Sequence, residues 1–182
     1  MRKHSECVFI IDQAYKAFCN KSYFEGKEVH KLENLILLES LTKHYAIPGL
    51  RLGYIVANEC LSAKLREYQI PWSVNSLAIE AGKFLIDNYQ AINTNEWLSE
   101  SQRLQNAIAQ MSKFEIQKSV TPFFLIKIKQ GTAAELKCFL LQNKILVRNA
   151  TNFESIEGEW IRVCALNQEK NNLLLEKLQQ WT

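Results

Sequence analysis

The chain is poor in the residues from which metal sites are built. Its 182 residues include three histidines and five cysteines. The cysteines are widely separated without a Cys-x-x-Cys pair, and the histidines show no His-x-x-x-His spacing. Zinc sites need several such ligands held close together. We therefore expect no metal site. An odd number of dispersed cysteines also favours a reducing compartment over a disulfide framework.

Long apolar runs and blocks of like charge are also missing. No apolar stretch approaches the roughly 20 residues that cross a bilayer, and the one after residues 1–6 is too short for a signal peptide. The 22 basic and 19 acidic residues are scattered and leave a formal net charge of +3. We therefore expect a soluble cytoplasmic protein that binds neither membranes nor nucleic acid. A hydrophobic share of 47% indicates a globular protein with a core.

Three short apolar runs predict buried strands. They cover residues 7–11, 35–38 and 52–57. Continuous runs of this kind are typical of strands that are covered on both faces of a parallel sheet. Asp12 follows the first run, and residues 40–43 follow the second. Because ligands collect outside the carboxyl ends of strands in open α/β sheets, these polar residues mark the expected site.

The helical pattern separates the first part of the chain from a second one. Asn58 is predicted to cap one helix, and an amphipathic stripe that begins at Leu77 predicts the next. A long helix over about 93–112 is expected to run between two domains. Beyond it the pattern is α+β, with a capping box formed by Thr132 and Glu135. The remaining predicted elements are strands over residues 123–128, 145–148 and 160–166 and a closing helix lined by Leu174, Leu178 and Trp181.

Lys43 lies in a segment suited to a phosphorylated aldehyde cofactor. Hydroxyl groups stand three residues before it at Ser40 and directly before it at Thr42, and Arg51 follows eight residues later. A lysine amine can form a Schiff base with a carbonyl group. Two hydroxyls and a guanidinium supply donors for a phosphate dianion. Pyridoxal phosphate needs both kinds of group, so the segment predicts a site for it.

Asp12 and Tyr15 extend this prediction. The Asp12 carboxylate, at the end of a buried strand, can hold a protonated pyridine nitrogen, and the Tyr15 phenol can donate to the ring oxygen of the cofactor. Taken alone, Asp12 is more often a turn or cap residue, and Tyr15 a packed aromatic. A lone lysine is likewise usually a surface cation. The joint presence of Lys43 and Arg51 with Ser40 and Thr42, behind a predicted strand and after Asp12, favours the cofactor interpretation.

Arg148 and Arg162 are candidate ligands for an anionic substrate. They lie fourteen residues apart at predicted strand positions. Either guanidinium can hold a carboxylate or a phosphate through two parallel hydrogen bonds. The alternative is that both are exposed cations at strand ends, and the pattern alone leaves the two interpretations open.

These residues occur in stretches that resemble one enzyme superfamily. Residues 8–15 resemble the strand with the pyridine-binding aspartate, and residues 40–54 the Schiff-base lysine segment, of the fold-type I pyridoxal-phosphate enzymes, the aspartate aminotransferase superfamily. Residues 71–78 and 145–163 add a similarity to the threonine-phosphate decarboxylases of cobalamin biosynthesis, which are themselves similar to histidinol-phosphate aminotransferases. The resemblance spans essentially the whole chain.

The resemblance implies an α/β fold in two parts. Residues 1–92 would be the C-terminal part of the large domain of a pyridoxal-phosphate-dependent transferase, a mostly parallel sheet with helices. Residues 93–182 would be a small C-terminal α+β domain with its linking helix. Members of the superfamily are much longer than this chain. We therefore expect a fragment that lacks the glycine-containing loop and the helix N-terminus that bind the cofactor phosphate. In one interpretation, this fragment has no activity by itself.

The resemblance also implies a role for each candidate residue. Lys43 is the implied Schiff-base residue, Arg162 the ligand of the substrate carboxylate, and Arg148 the ligand of a second anionic group, its phosphate. Gln13 replaces an acidic residue common in the family, and its side chain is expected on the other face of the strand. The implied cofactor ligands are Asp12 on the ring nitrogen, Tyr15 on the ring oxygen, and Ser40, Thr42 and Arg51 around the phosphate.

The implied reaction is the loss of carbon dioxide from L-threonine O-3-phosphate, which gives 1-aminopropan-2-ol O-2-phosphate. The superfamily forms its sites at a homodimer interface, so a homodimer is expected. An aminotransferase that acts on histidinol phosphate or another anionic amino acid remains the alternative. The choice depends on which bond the site holds perpendicular to the cofactor ring, and small shifts of the arginines decide that.

Overall fold

The chain forms two compact units. The computed structural model describes residues 1–19, 21–90 and 93–181. The first unit comprises Met1–Ile92 and the second Asn93–Thr182. In the described part of the chain, no helix has both the length and the apolar character that a membrane crossing requires.

The first unit is a small sheet with helices. Its described elements are, in chain order, β1 (Phe9–Asp12), α1 (Gly26–Val29), β2 (Leu35–Ser40), α2 (Leu41–His44), β3 (Gly53–Ala57), α3 (Glu59–Glu67) and α4 (Ser76–Asp87). Two short 3-10 helices cover Lys16–Phe18 and Pro48–Leu50. The strand order is β1-β2-β3, so β2 lies in the middle.

The sheet of the first unit is mixed. β1 and β2 are parallel, as expected, and Asp12 pairs with Leu38. The third apolar run also forms a strand, but β3 is antiparallel to β2, and Gly53 pairs with Ser40. A parallel return needs a crossover that carries the chain back along the sheet. The connection over 41–52 has only short helical turns, so the expectation of a mostly parallel sheet holds for β1 with β2 alone.

The expectation that these strands are covered on both faces holds for β2 over residues 35–37, which are all buried, and is wrong for β1 and β3. Val29 of α1 packs against Leu35 and Leu37, which share one face of the sheet, and all three are buried. On the other face, Ile10 is 66% exposed and Ile55 is 41% exposed. The continuous apolar runs therefore produce a sheet face that the described residues leave largely open.

Asparagine side chains begin the two longer helices of the first unit. Asn58 Oδ1 accepts a hydrogen bond from the Leu61 amide at 2.8 Å, which confirms the predicted cap of α3. Asn75 Oδ1 accepts one from the Ala78 amide at 2.9 Å at the start of α4. Each bond satisfies a backbone donor that helix geometry leaves unpaired. The two caps thus define the residues at which these helices begin.

The second unit packs helices on one face of an antiparallel sheet. Its elements are α5 (Asn95–Ala109), β4 (Phe114–Gln117), β5 (Phe123–Ile128), α6 (Ala133–Gln142), β6 (Arg148–Asn149), β7 (Trp160–Cys164) and α7 (Gln168–Gln180). The strand order is β4-β5-β7-β6, and every neighbouring pair is antiparallel.

One face of this second sheet is buried and the other is open. Along β5, Phe124, Ile126 and Ile128 are buried, and the residues between them are only partly buried. This alternation is the period of a strand with one covered face. The buried face joins a core whose helical members include Leu104 and Ile108 of α5, Leu136 and Leu140 of α6, and Leu174 and Leu178 of α7.

Most predictions for the second unit are confirmed. The strand over 123–128 is present, as is the helix that begins with the capping box of Thr132 and Glu135. The strand expected over 145–148 is reduced to the short β6, because the Ile145 amide bonds back to the Leu140 carbonyl at the end of α6. The sequence pattern did not predict β4, a run of only four residues.

Candidate functional site

Two of the predicted site residues end neighbouring strands. Asp12 is the last residue of β1, and Ser40 is the last of β2. The strands are parallel and Asp12 pairs with Leu38, so their carboxyl ends lie at the same edge of the sheet. The helix α2 begins directly after β2 and carries Thr42 and Lys43. This edge is where an open α/β sheet binds its ligand.

The Asp12 carboxylate is exposed and is held by its own turn. Its Oδ1 accepts a hydrogen bond from the Ala14 amide at 2.9 Å. No other residue in the described ranges donates a hydrogen bond to this side chain. A carboxylate oriented by one oxygen, with the other oxygen open, fits the proposed contact with a protonated pyridine nitrogen.

Lys43 and Tyr15 lie against each other. The Lys43 Nζ atom is 5.5 Å from the centroid of the Tyr15 ring, a distance typical of a cation–π contact. Lys43 is exposed, and no salt bridge between described residues includes it. The amine is therefore accessible and has no carboxylate partner in that part of the chain. An accessible amine is what covalent attachment to an aldehyde requires.

The two hydroxyl groups beside the lysine differ in their surroundings. Ser40 occupies the N-cap position of α2, but its side chain makes no capping hydrogen bond. Thr42 is only 7% exposed, and its hydroxyl donates to the Leu52 carbonyl at 3.1 Å. Ser40 is therefore open to a ligand. Thr42 can donate to a phosphate only by leaving Leu52, so its role stays a prediction.

Arg51 is held in an uncommon backbone conformation. Its φ of 54° and ψ of 49° are left-handed, a region that non-glycine residues rarely adopt. The exposed guanidinium donates to the Pro48 carbonyl at 3.2 Å and keeps further N–H groups open. Backbone strain of this kind is concentrated at functional sites. The geometry is compatible with an anion ligand at Arg51.

Gln13 belongs to a buried polar group behind this edge. Its Nε2 donates to the buried Glu39 carboxylate at 3.1 Å, and Lys16 forms a salt bridge with the same carboxylate. An acidic residue at position 13 would place a second carboxylate beside Glu39, so glutamine suits this chain. Burial, and then the negative charge of Glu39, raise the pKa of the Tyr54 phenol.

Gly53 permits the close pairing of β3 with the end of β2. A Cβ atom at this position would lie 2.7 Å from the backbone oxygen of Glu39. We expect Gly53→Ala to lower the free energy of unfolding by about 1–3 kcal/mol, the range for overpacked sites. Gly49→Ala is the matched control, because nothing lies within 4 Å of a Cβ atom there. Urea denaturation measures both variants, and equal losses would contradict the prediction.

Arg148 and Arg162 are direct neighbours in the second unit. They pair across β6 and β7, so both side chains leave the same face of the sheet, opposite the core. Like charges in directly opposite positions destabilise a sheet. Among the described residues, no carboxylate forms a salt bridge with either guanidinium. The pair is therefore a concentration of positive charge that an anion can neutralise.

Each of these guanidiniums lies on a phenylalanine ring. The Cζ atom of Arg148 is 5.8 Å from the centroid of the Phe153 ring, and that of Arg162 is 5.9 Å from the Phe123 ring. Phe123, Phe153 and Arg162 also line a pocket of about 270 Å³, together with Lys118. Contact with a planar ring restricts the motion of the guanidinium. The arginine side chain therefore loses less conformational entropy when an anion binds.

Phe123, Phe153 and Lys118 are candidate site residues that the sequence pattern did not reveal. Phe123 looks like any apolar strand residue, and only the pairing of β5 with β7 places it beside Arg162. Phe153 lies outside every strand and helix. Its one signal is that it belongs to a stretch that resembles the decarboxylases. The structure thus gathers the candidates into two groups, one in each unit.

One protein-family model matches nearly the whole sequence. The model described as aminotransferase class I and II covers residues 1–178. The chain belongs to the class I and II aminotransferase family. Members of this family are enzymes that depend on pyridoxal phosphate. The α/β fold that the resemblance implies is confirmed by the similarity of this chain to solved structures.

Individual relatives include both decarboxylases and transaminases. A threonine-phosphate decarboxylase of Salmonella typhimurium is 34% identical over 145 residues, which are 78% of this chain and 40% of that protein. A histidinol-phosphate aminotransferase of Thermoanaerobacter sp. is 32% identical over 177 residues, 97% of this chain and 49% of that protein. This aminotransferase-family chain spans about half the length of the curated relatives it matches.

A solved structure extends the similarity to three dimensions. The crystal structure of L-threonine-O-3-phosphate decarboxylase from Porphyromonas gingivalis has a TM-score of 0.92 and 33% sequence identity. The match covers 98% of this chain and 56% of that one. The histidinol-phosphate aminotransferase of Clostridium acetobutylicum shares the fold, with a TM-score of 0.81.

Proposed function

We propose that this family member takes part in the pyridoxal-phosphate-dependent decarboxylation of L-threonine O-3-phosphate. The product of this reaction is 1-aminopropan-2-ol O-2-phosphate, and the reaction is a step of cobalamin biosynthesis. The observation that carries the proposal is the in-register pair of Arg148 and Arg162 without a carboxylate partner among the described residues. The substrate has one carboxylate and one phosphate, and a guanidinium can hold either group bidentately. Arg162 binds the carboxylate and Arg148 the phosphate in this proposal.

The first unit supplies groups that fit the cofactor. Lys43 would hold the aldehyde carbon, and the open oxygen of Asp12 would accept the hydrogen bond of the protonated pyridine. The bound cofactor supplies an electron sink for the electron pair released when a bond to the substrate Cα breaks. Asp12 keeps the pyridine protonated, which this sink requires. The remaining proposed ligands are Tyr15 on the ring oxygen and Ser40, Thr42 and Arg51 on the phosphate.

A histidinol-phosphate aminotransferase is the second candidate. The 32% identical Thermoanaerobacter relative favours it. Histidinol phosphate carries a phosphate and no carboxylate, so one of the two arginines would then serve a dicarboxylate co-substrate such as 2-oxoglutarate. The decarboxylase substrate occupies both Arg148 and Arg162 at once, which is the reason to prefer it.

We further infer a homodimer. The first unit exposes large apolar side chains over residues 68–77, among them Trp72 with 98% of its surface accessible. Soluble monomers rarely expose large contiguous apolar patches, and such patches mark interaction surfaces. A second copy that covers this segment would remove the apolar area from water.

The proposed setting is a reducing compartment such as the cytoplasm. All five cysteines are free thiols. Disulfides form and persist in oxidising compartments, so free thiols throughout the chain support this setting.

Product analysis tests the reaction. The full chain is incubated with pyridoxal 5'-phosphate and L-threonine O-3-phosphate, with and without 2-oxoglutarate. We expect release of carbon dioxide that does not depend on 2-oxoglutarate. Formation of glutamate without carbon dioxide would show an aminotransferase instead. Cofactor attachment to a folded chain with neither product would identify an inactive fragment.

A further inference from the structure

The helix that carries Lys43 is too short to be stable without contacts to the rest of the first unit. α2 has four residues, and isolated helices below about 12–15 residues are marginal in water. Its orientation therefore depends on contacts that its residues make with the rest of the first unit. One such contact is the hydrogen bond from Thr42 to the Leu52 carbonyl.

The two residues after Lys43 attach α2 to the C-terminal end of α4. His44 Nε2 is 3.0 Å from the Gln90 carbonyl oxygen, and the Tyr45 hydroxyl donates to the Leu85 carbonyl at 3.3 Å. A carbonyl oxygen only accepts, so Nε2 is the protonated nitrogen of the His44 ring. The same ring stacks on Tyr89, with 5.4 Å between centroids and 22° between planes.

His44 and Lys43 point in different directions from α2. Successive helical residues are turned by about 100° around the axis. Lys43 lies against Tyr15, while His44 lies against Tyr89 and Gln90. Fixing the His44 ring therefore fixes the rotation of α2 about its own axis. That rotation decides where the Lys43 amine points.

We propose that His44 is a positioning residue for Lys43. It anchors α2 to the segment that follows α4 and leads toward the end of the first unit at Ile92. The importance of this for catalysis rests on the proposed function of Lys43. The anchoring itself is a property of the fold and can be measured without cofactor.

Three variants separate the hydrogen bond of His44 from its ring contact. His44→Phe keeps a ring against Tyr89 and loses the donor. His44→Gln keeps an N–H donor and loses the ring, and His44→Ala loses both. His30→Ala is the control, because His30 is exposed and lies outside both α2 and α4.

The first measurement is hydrogen exchange at the Tyr45 amide, which bonds the Leu41 carbonyl at 3.0 Å and so closes α2. We expect exchange on the order of 10-fold faster in His44→Ala, which corresponds to about 1.4 kcal/mol. Smaller increases are expected in His44→Phe and His44→Gln, and none in His30→Ala. Unchanged exchange in all three His44 variants would overturn the anchoring.

The second measurement is the rate at which borohydride traps pyridoxal phosphate on Lys43, with circular dichroism of the bound cofactor as a report on its orientation. We expect slower trapping and a weaker dichroic band in His44→Ala, with partial recovery in His44→Gln. Faster exchange with unchanged trapping and dichroism would overturn the positioning role. Absence of any adduct on the wild-type chain would count against the proposed function, while the exchange data still decide the anchoring.

Discussion

Lys43→Ala is expected to lower the yield of the borohydride-reducible adduct with pyridoxal phosphate on the order of 100-fold or more, because the proposed site then has no amine to bond the aldehyde. The amine of Lys43 is accessible, lies 5.5 Å from the Tyr15 ring centroid and follows the edge where β1 and β2 end.

Two control variants define what this result means. Lys43→Arg keeps the positive charge against Tyr15 but has no amine that forms a Schiff base, so it is expected to fail equally. Lys64→Ala removes an exposed lysine of α3 and is expected to trap cofactor like the wild type. Peptide mapping by mass spectrometry locates the adduct. A stable adduct on another lysine in the Lys43→Ala chain would disprove the assignment.

Arg162→Gln is expected to weaken binding of L-threonine O-3-phosphate to the cofactor-loaded chain by about 2–5 kcal/mol, the cost of truncating one partner of a desolvated charge pair. This is roughly 30-fold or more in Kd. Arg148→Gln is expected to have a similar effect on this ligand. Both guanidiniums lack a carboxylate partner among the described residues, so each is open to the substrate.

L-threonine separates the roles of the two arginines, because it has the carboxylate and lacks the phosphate. Arg162→Gln is expected to weaken L-threonine binding, whereas Arg148→Gln is expected to leave it unchanged. Arg66→Gln, an exposed arginine of α3, is the control for general charge effects. Titration of the cofactor absorbance gives each Kd. Equal weakening of L-threonine binding by Arg148→Gln and Arg162→Gln would contradict the assignment of carboxylate and phosphate.

The parts of the candidate site that could be proposed from the sequence are those encoded over short stretches. Asp12 directly follows an apolar run, and Lys43 lies within a few residues of Ser40 and Thr42. Apolar runs and cap residues also located most strands and helices, since helix starts such as Asn58 depend on neighbours only three residues away. Local spacing is visible in a single sequence.

The remaining features depend on pairing between distant segments. The neighbourhood of Arg148 and Arg162 follows from the register of β6 on β7, which no spacing in the sequence specifies. The reversed direction of β3 follows from how tightly residues 41–52 turn. The exposure of Ile10 was mispredicted, because an apolar run indicates that a surface tends to be covered and does not say which residues cover it.

The first unit has a small core, and a ligand that binds to it would stabilise its fold. Its buried cluster comprises Val29, Leu35 and Leu37, whereas the core of the second unit draws on three helices and every strand but one short edge. The unit that carries Lys43 therefore opens at lower free energy. A ligand that binds only the folded form adds about 2.7 kcal/mol of stability at 100-fold excess over its Kd. Pyridoxal phosphate bound at Lys43 would thus act as a folding ligand, and its cellular concentration would set how long the chain survives proteolysis.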